Sequence, residues 1–218
     1  MTTVERAEEM KMSERLVRGT RVISGEDAKD RRGAINTMVC IAERHGAREI
    51  VLPNIGYASF FDGKLNPDLR MYRFKDRGDR ELCLMPEYTN LLAAMEWEPD
   101  TIVWYCERCY RYDRPQKGRY REFTQFGVEL LNPSRAEAYS LIPRIALEIV
   151  KGLGLSEVTR MIHNASRGAS YYNDGKGFEI ECPSLGSQKQ LVGGGPYKGG
   201  AGFAIGVDRA VLARTCHG

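Results

Sequence analysis

No stretch of this chain approaches the roughly 20 consecutive apolar residues that a membrane helix needs, so no membrane span or membrane partner is expected. The first 18 residues carry four Glu and no apolar run, which excludes a secretory signal and argues against an organellar transit peptide. The net charge is only +3 over 218 residues, too mild to mark a nucleic-acid coat or a membrane-surface protein. There is no internal repeat, no low-complexity tract and no shift of composition that marks a domain boundary. The six cysteines do not complete a metal pattern. Cys106-Glu107-Arg108-Cys109 has the spacing of half a zinc site, but no second close pair or nearby His accompanies it. The segment alternates like a strand, which sets its two thiols on different sides. Reduced thiols buried in a sheet are therefore expected, with no bound metal and a cytoplasmic address.

What is present is an ordinary globular composition, 42% hydrophobic and 28% charged, with enough apolar residues for a substantial core. One domain over 1–218 is expected, with 1–17 as a loose leader. Ser24-Gly25-Glu26-Asp27 reads as a helix start, with a Ser cap and acids where the helix dipole favours them. Ala28, Ile35, Met38, Val39 and Ala42 recur at helical spacing until Gly46. A short strand, Glu49 to Pro53, follows. Further strands are expected at 71–74, 81–85, 102–112, 123–131, 157–162 and 177–182. A helix is expected from Asn132-Pro133, bent at Pro143, and another over 203–213. Strands outnumber helices without βαβ alternation, so the fold class is α+β, an antiparallel sheet flanked by helices.

The densest chemistry lies in the hairpin Cys109 to Glu129. Residues 111–121 carry five cations, Arg111, Arg114, Lys117, Arg119 and Arg121, against one anion, Asp113. Such a turn suits a polyanion, and the rings around it suit a flat partner. Glu87 and Thr89 sit at a strand-to-helix junction, where polar side chains either cap the helix or face a site. Arg209, in an otherwise apolar segment, needs an acid such as Asp208 or an anionic ligand. Arg167 lies beside Tyr171 and Tyr172. The glycines of 193–206 do not follow a strand–turn–helix order, so they are no dinucleotide fingerprint; they let the backbone turn or approach a ligand. Together these residues suit a triphosphate and a polar small molecule bound side by side.

Several motifs in order over about residues 16 to 213 resemble the catalytic core of class II aminoacyl-tRNA synthetases, specifically the histidyl-tRNA synthetases. Arg18-Gly19-Thr20-Arg21 and the helix to Pro53 resemble the entry segment and motif 1, whose Pro lies at the dimer edge. Arg111 to Phe123 resembles motif 2 and is the most specific match. Arg167-Gly168-x-x-Tyr171-Tyr172 resembles the histidine-specific motif, and Gly202 to Arg209 resembles motif 3. The resemblance implies that Arg111 holds the α-phosphate of ATP and the substrate carboxylate. It implies that Asp113 reads the adenine amino group, Phe123 stacks on adenine, and Arg119 and Arg209 hold the outer phosphates. Glu87, Thr89, Gln125, Glu129, Tyr171 and Tyr172 would surround the amino acid. Arg167 would be a catalytic cation near the α-phosphate, and Mg²⁺ would accompany ATP.

Three departures from the family pattern stand out. Its Arg-Pro-Glu-Gly-Thr reads Met85-Pro86-Glu87-Tyr88-Thr89, the Asp before its Tyr pair is Ser170, and its Gly-Gly-Arg-Tyr-Asp-Gly reads Gly194-Gly195-Pro196-Tyr197-Lys198-Gly199. Room for the family's insertion domain and its C-terminal anticodon-binding domain is not expected. The implied activity is activation of histidine, or a similar amino acid, as an adenylate. The acceptor would be the end of a tRNA or a non-tRNA molecule, and a homodimer is expected. Two other readings stay open: an inactive relative, such as a regulatory subunit of ATP phosphoribosyltransferase, and a fragment of a larger synthetase.

Overall fold

The computed structural model describes residues 15–63, 71–165, 172, 175–186 and 188–216. Helix α1, Gly25–Arg44, carries Glu26 and Asp27 in its first turn, as expected. Ser24 offers its carbonyl to Ala28 N–H but makes no side-chain cap. Ala34, Met38, Ile41 and Ala42 are buried at i, i+4, i+7 and i+8, one stripe of a helix. Gly46, at a φ of +80°, reverses the chain after it.

The expected strand at 49–53 is shorter than predicted. Strand β1 is Arg48–Glu49, parallel to strand β5, Thr101–Tyr110. Ile50 N–H makes one more bond, to Trp104 O at 2.9 Å, and the chain then leaves the sheet toward Pro53, which has no N–H to donate. Residues 54–63 are less irregular than their composition suggests. They hold strand β2, Ile55–Tyr57, and a 3-10 turn, Ala58–Phe60. Strands β3, Arg73–Lys75, and β4, Glu81–Leu84, complete a three-stranded antiparallel sheet in the order β2-β4-β3. Asp76 builds the β3–β4 turn: its Oδ1 accepts from the N–H groups of Gly78 and Arg80, an Asx-type turn. A five-residue helix α2, Thr89–Ala93, follows.

Strand β5 and strand β6, Glu122–Leu131, form the cationic hairpin at full length, paired from Thr101↔Leu131 to Tyr110↔Glu122. The expected helix at Asn132-Pro133 does not begin there. Asn132 takes a φ of +49°, which Asn tolerates, and its N–H donates to Gly199 O at 2.8 Å. After a 3-10 turn, Ala136–Ser140, helix α3 runs over Leu141–Gly152. Pro143 is thus its third residue, where no intrahelical acceptor is needed, and the predicted bend has no cause.

Strands β7, Arg160–Ala165, β8, Gly177–Glu181, β9, Gln190–Tyr197, and β10, Gly200–Gly206, close the large sheet in the order β1-β5-β6-β10-β9-β8-β7. The helix expected over 203–213 is therefore a strand followed by helix α4, Val207–Thr215. β10 is central, paired on both edges and buried, so it reads as a continuous apolar run that periodicity cannot tell from a helix. Likewise 157–162 starts as a 3-10 turn, Ser156–Val158, before β7.

The period of two divides the sheet's faces. Trp104, Phe126, Val128 and Leu130 pack toward α1, α3 and α4 in one core. Val103, Tyr105, Cys109 and Leu131 pack with Leu52, Phe61, Met85 and Leu92 in a second. Cys106 joins the first core and Cys109 the second, so the two thiols do lie on opposite faces. Among the described residues no helix is long and apolar enough to cross a membrane.

Candidate active site

The second face of β6 carries Phe123, Gln125, Gly127 and Glu129, alternate residues of one strand. Three large polar side chains lie flat on this face, each over a glycine that is its cross-strand partner. Tyr105 of β5 covers Gly127, Glu129 covers Gly202 of β10, and Tyr197 of β9 covers Gly200. A β-carbon at Gly127 would overlap the Tyr105 ring, and one at Gly202 would overlap the Glu129 carboxylate. Of the 193–206 glycines, Gly200 and Gly202 make room for side chains laid across the sheet.

Glu129 is fully buried. Its Oε1 accepts from Thr89 Oγ1 at 2.7 Å and its Oε2 from Tyr197 OH at 2.8 Å. Burial pushes its pKa from 4.5 up to about 8. The two hydrogen bonds pull it down, and the charge of Glu87 adds to the rise. Gln125 is buried beside it, donating through Nε2 to Tyr105 OH at 2.9 Å and accepting from the Cys109 thiol at 3.6 Å. Burial pushes that thiol up to about 12, so it remains a protonated donor. Tyr172 pairs with Tyr197 across an isolated bridge, their rings edge to face with centroids 6.0 Å apart.

Glu87 and Thr89 arrive from the β4–α2 junction. Glu87 is buried, and its carboxylate accepts from Asn90 N–H at 3.3 Å, at the start of α2, which meets the helix-capping expectation. The junction is tied to β5, with Tyr110 N–H donating to Met85 O and Arg111 Nε to Pro86 O, each at 2.9 Å. The second bond fixes the Arg111 side chain against the β4–α2 junction. Its guanidinium also stands 5.1 Å from the centre of the Phe123 ring.

Beyond Arg111 the hairpin tip curls back. Asp113 Oδ2 accepts from Arg119 Nε at 2.9 Å, so two side chains expected to hold opposite ends of a nucleotide here hold each other. Arg209 does not pair with Asp208. Asp208 instead forms an ion pair with Arg21 and accepts from Thr124 N–H at 2.9 Å. Arg209 donates to the carbonyls of Gln188, Gln190 and Gly118, with no carboxylate partner among the described residues. Burial lowers its pKa, and the neighbouring charge of Arg119 lowers it further. Two cations that disfavour each other beside a turn of backbone form a place for an anion.

Arg167, Ser170 and Tyr171 lie outside the described residues. The structure brings the others into two adjoining sets: Glu87, Thr89, Gln125, Glu129 and Tyr172 at one end, and Arg111, Asp113, Arg119, Phe123 and Arg209 at the other. Sequence reasoning did not assign Tyr105 or Tyr197 to the site. The signal for both is a tyrosine facing a glycine, which becomes visible only when the strand register is known.

A sequence model described as histidyl-tRNA synthetase matches residues 19–166. The chain belongs to the histidyl-tRNA synthetase family. It is 37% identical over 147 residues to a histidine–tRNA ligase of Archaeoglobus fulgidus, covering 64% of this chain and 36% of that one. The chain thus spans about a third of the length of the curated relatives it matches. Its fold is that of the Staphylococcus aureus histidyl-tRNA synthetase, with a TM-score of 0.71, 23% identity, and 91% of this chain and 69% of that one covered. It also matches a Bacillus halodurans protein described as an ATP phosphoribosyltransferase regulatory subunit/histidyl-tRNA synthetase, with a TM-score of 0.73, 18% identity, and 89% and 81% covered. The fold is that of a class II catalytic core, an α+β sheet flanked by helices.

Proposed function

We propose that the chain activates histidine, or a similar amino acid, with ATP to form an aminoacyl-adenylate. The observation that carries this reading is strand β6 itself. Phe123 with the adjoining Arg111 stands at one end, suited to a flat ring and an anion, and the buried Glu129 with its two hydroxyl partners stands at the other, suited to a small polar group. A carboxylate bound beside Arg111 attacks the α-phosphorus of ATP. The new O–P bond forms as the bond to the bridging oxygen of pyrophosphate breaks. Positioning and charge neutralisation carry such a displacement. Arg111 spans the two substrates, Phe123 stacks on adenine, and Asp113 reads the adenine amino group. Arg119 and Arg209 hold the outer phosphates, so ATP binding separates Arg119 from Asp113. Arg167 supplies a further cation at the α-phosphate. Glu87, Thr89, Gln125, Tyr171 and Tyr172 enclose the amino acid, and Glu129 faces its side chain.

Among the described residues no three acidic, imidazole or thiol groups converge to hold a metal. Mg²⁺ with a nucleotide takes its ligands mainly from phosphates and water, so the site fits an ion brought in with ATP. The acceptor is the end of a tRNA or a non-tRNA molecule, and the working form is a homodimer. ATP–pyrophosphate exchange with each amino acid in turn tests the reading, and exchange with histidine is expected. Histidine binding without exchange would replace it with a regulatory role, and exchange with no amino acid would sink it.

A further inference from the structure

Tyr88 stands where the family pattern has glycine, yet its backbone has no need of glycine, because φ is −121°. The residue is present for its side chain. That side chain is fully buried, in the core cluster it shares with Tyr105, Cys109 and Tyr197. Its hydroxyl lies 2.8 Å from Arg108 O on β5 and 2.9 Å from Asn54 Oδ1, two acceptors for its one proton. Its ring stands 5.3 Å from that of Tyr105, whose hydroxyl holds Gln125.

The neighbours of Tyr88 in sequence are Glu87 and Thr89, and Thr89 is the residue that grips Glu129. Helix α2, which Thr89 begins, is five residues long and has no side-chain cap from Tyr88. A helix that short does not hold its own position. The junction is fixed by tethers to β5 and to Arg111 just after it, and two of them, at Met85 and Pro86, lie upstream of Glu87. The Tyr88 hydroxyl is the tether that lies between Glu87 and Thr89.

We propose that Tyr88 is a positioning residue of the amino-acid pocket. Its hydroxyl pins the 85–89 junction to β5, and its ring braces Tyr105, so that Thr89 and Gln125 meet the amino acid in fixed places. The proposal rests on the pocket assignment made above. It is tested with L-histidine and ATP on the wild type and on Tyr88→Phe, which keeps the ring and removes the tether. Calorimetry gives the two dissociation constants, pyrophosphate exchange gives KM for each substrate, and a melting curve reports the fold.

Tyr88→Phe is expected to weaken histidine about 10-fold, the scale of one hydrogen bond. ATP affinity should stay within about twofold and the variant should remain folded. An unchanged histidine constant overturns the proposal. So does parallel weakening of both ligands with a lowered melting point, which would make the residue merely structural. If Tyr88→Phe does not fold, Tyr88→Met keeps a large apolar side chain without the hydroxyl, and the same two constants decide. A wild type that binds histidine but does not catalyse exchange sinks the activation reading alone. A wild type that does not bind histidine overturns both.

Discussion

Glu129 sits where two effects oppose each other. Burial penalises its charge, while donated bonds from Thr89 and Tyr197 reward it. Burial wins, and the pKa rises to about 8. The folded protein therefore holds a proton there that the unfolded chain releases above about 4.5. Stability from this group is complete below that pH, falls as pH rises, and is gone above about 8. Glu129→Gln, which does not titrate, isolates the term. The melting temperature of the wild type minus that of Glu129→Gln should fall steadily between pH 5 and pH 9. A difference that stays level across that range would mean Glu129 is already ionised at neutral pH. The same variant reports function, because an amino acid whose side chain presents an N–H to this carboxylate should lose affinity when Gln replaces it. The motif order singles out Glu129. The depth of its burial is not legible there, because that depends on Gly202 lying opposite.

At the scale of elements, what could be read follows what is local. The β5–β6 hairpin carries alternating apolar residues on both arms and a cationic turn, and it appears at nearly the expected bounds. Helix α1 agrees in its acidic first turn, in Met38 and Ala42 of its stripe and in its terminal glycine, although Ser24 makes no side-chain cap. The errors fall where a long-range partner decides. The β10 segment reads as the start of a helix because both its faces are buried, which removes the alternation, and α3 begins late because Asn132 is drawn into a left-handed turn by Gly199. The tyrosine-over-glycine pairs belong here too, since each needs two strands in register. Gly127→Ala should overpack the Tyr105 ring and lower stability by about 1–3 kcal/mol, the usual range for an inserted methyl in a tight core. Tyr105→Ala removes the obstruction at its own cost in buried surface. The double variant should be markedly more stable than the sum of the two losses predicts, because one clash accounts for the whole effect of the glycine change. Additive losses in denaturant titration would show that Gly127 is required for its backbone and not for the ring above it.

For the whole molecule, family membership was legible because class II motifs keep their order along the chain, while the packing between them was not. That packing leaves one apolar face uncovered. The three-stranded sheet aligns Tyr57, Leu82 and Phe74 in one cross-strand row, with Ile55 beside it on the same face. Tyr57 is 55% exposed, Ile55 50% and Phe74 39%, and Val51, just before Pro53, is 79% exposed. Scattered apolar residues on a surface need no explanation, but a contiguous row at the end of the α1-to-Pro53 segment does. That segment is the one whose likeness to motif 1 led to the expectation of a dimer edge. A twofold contact there is isologous, so each substitution counts twice in the assembled pair. Sedimentation of the wild type should give a homodimer, and Ile55→Asp with Tyr57→Asp should give a folded monomer with an unchanged far-ultraviolet spectrum. A wild type that sediments as a monomer, or a double variant that stays dimeric, would move the interface elsewhere or remove it. If the monomer also loses pyrophosphate exchange while keeping its fold, then dimer assembly holds the β4–α2 junction in place, because the exposed sheet runs from β4 directly into Met85 and Glu87.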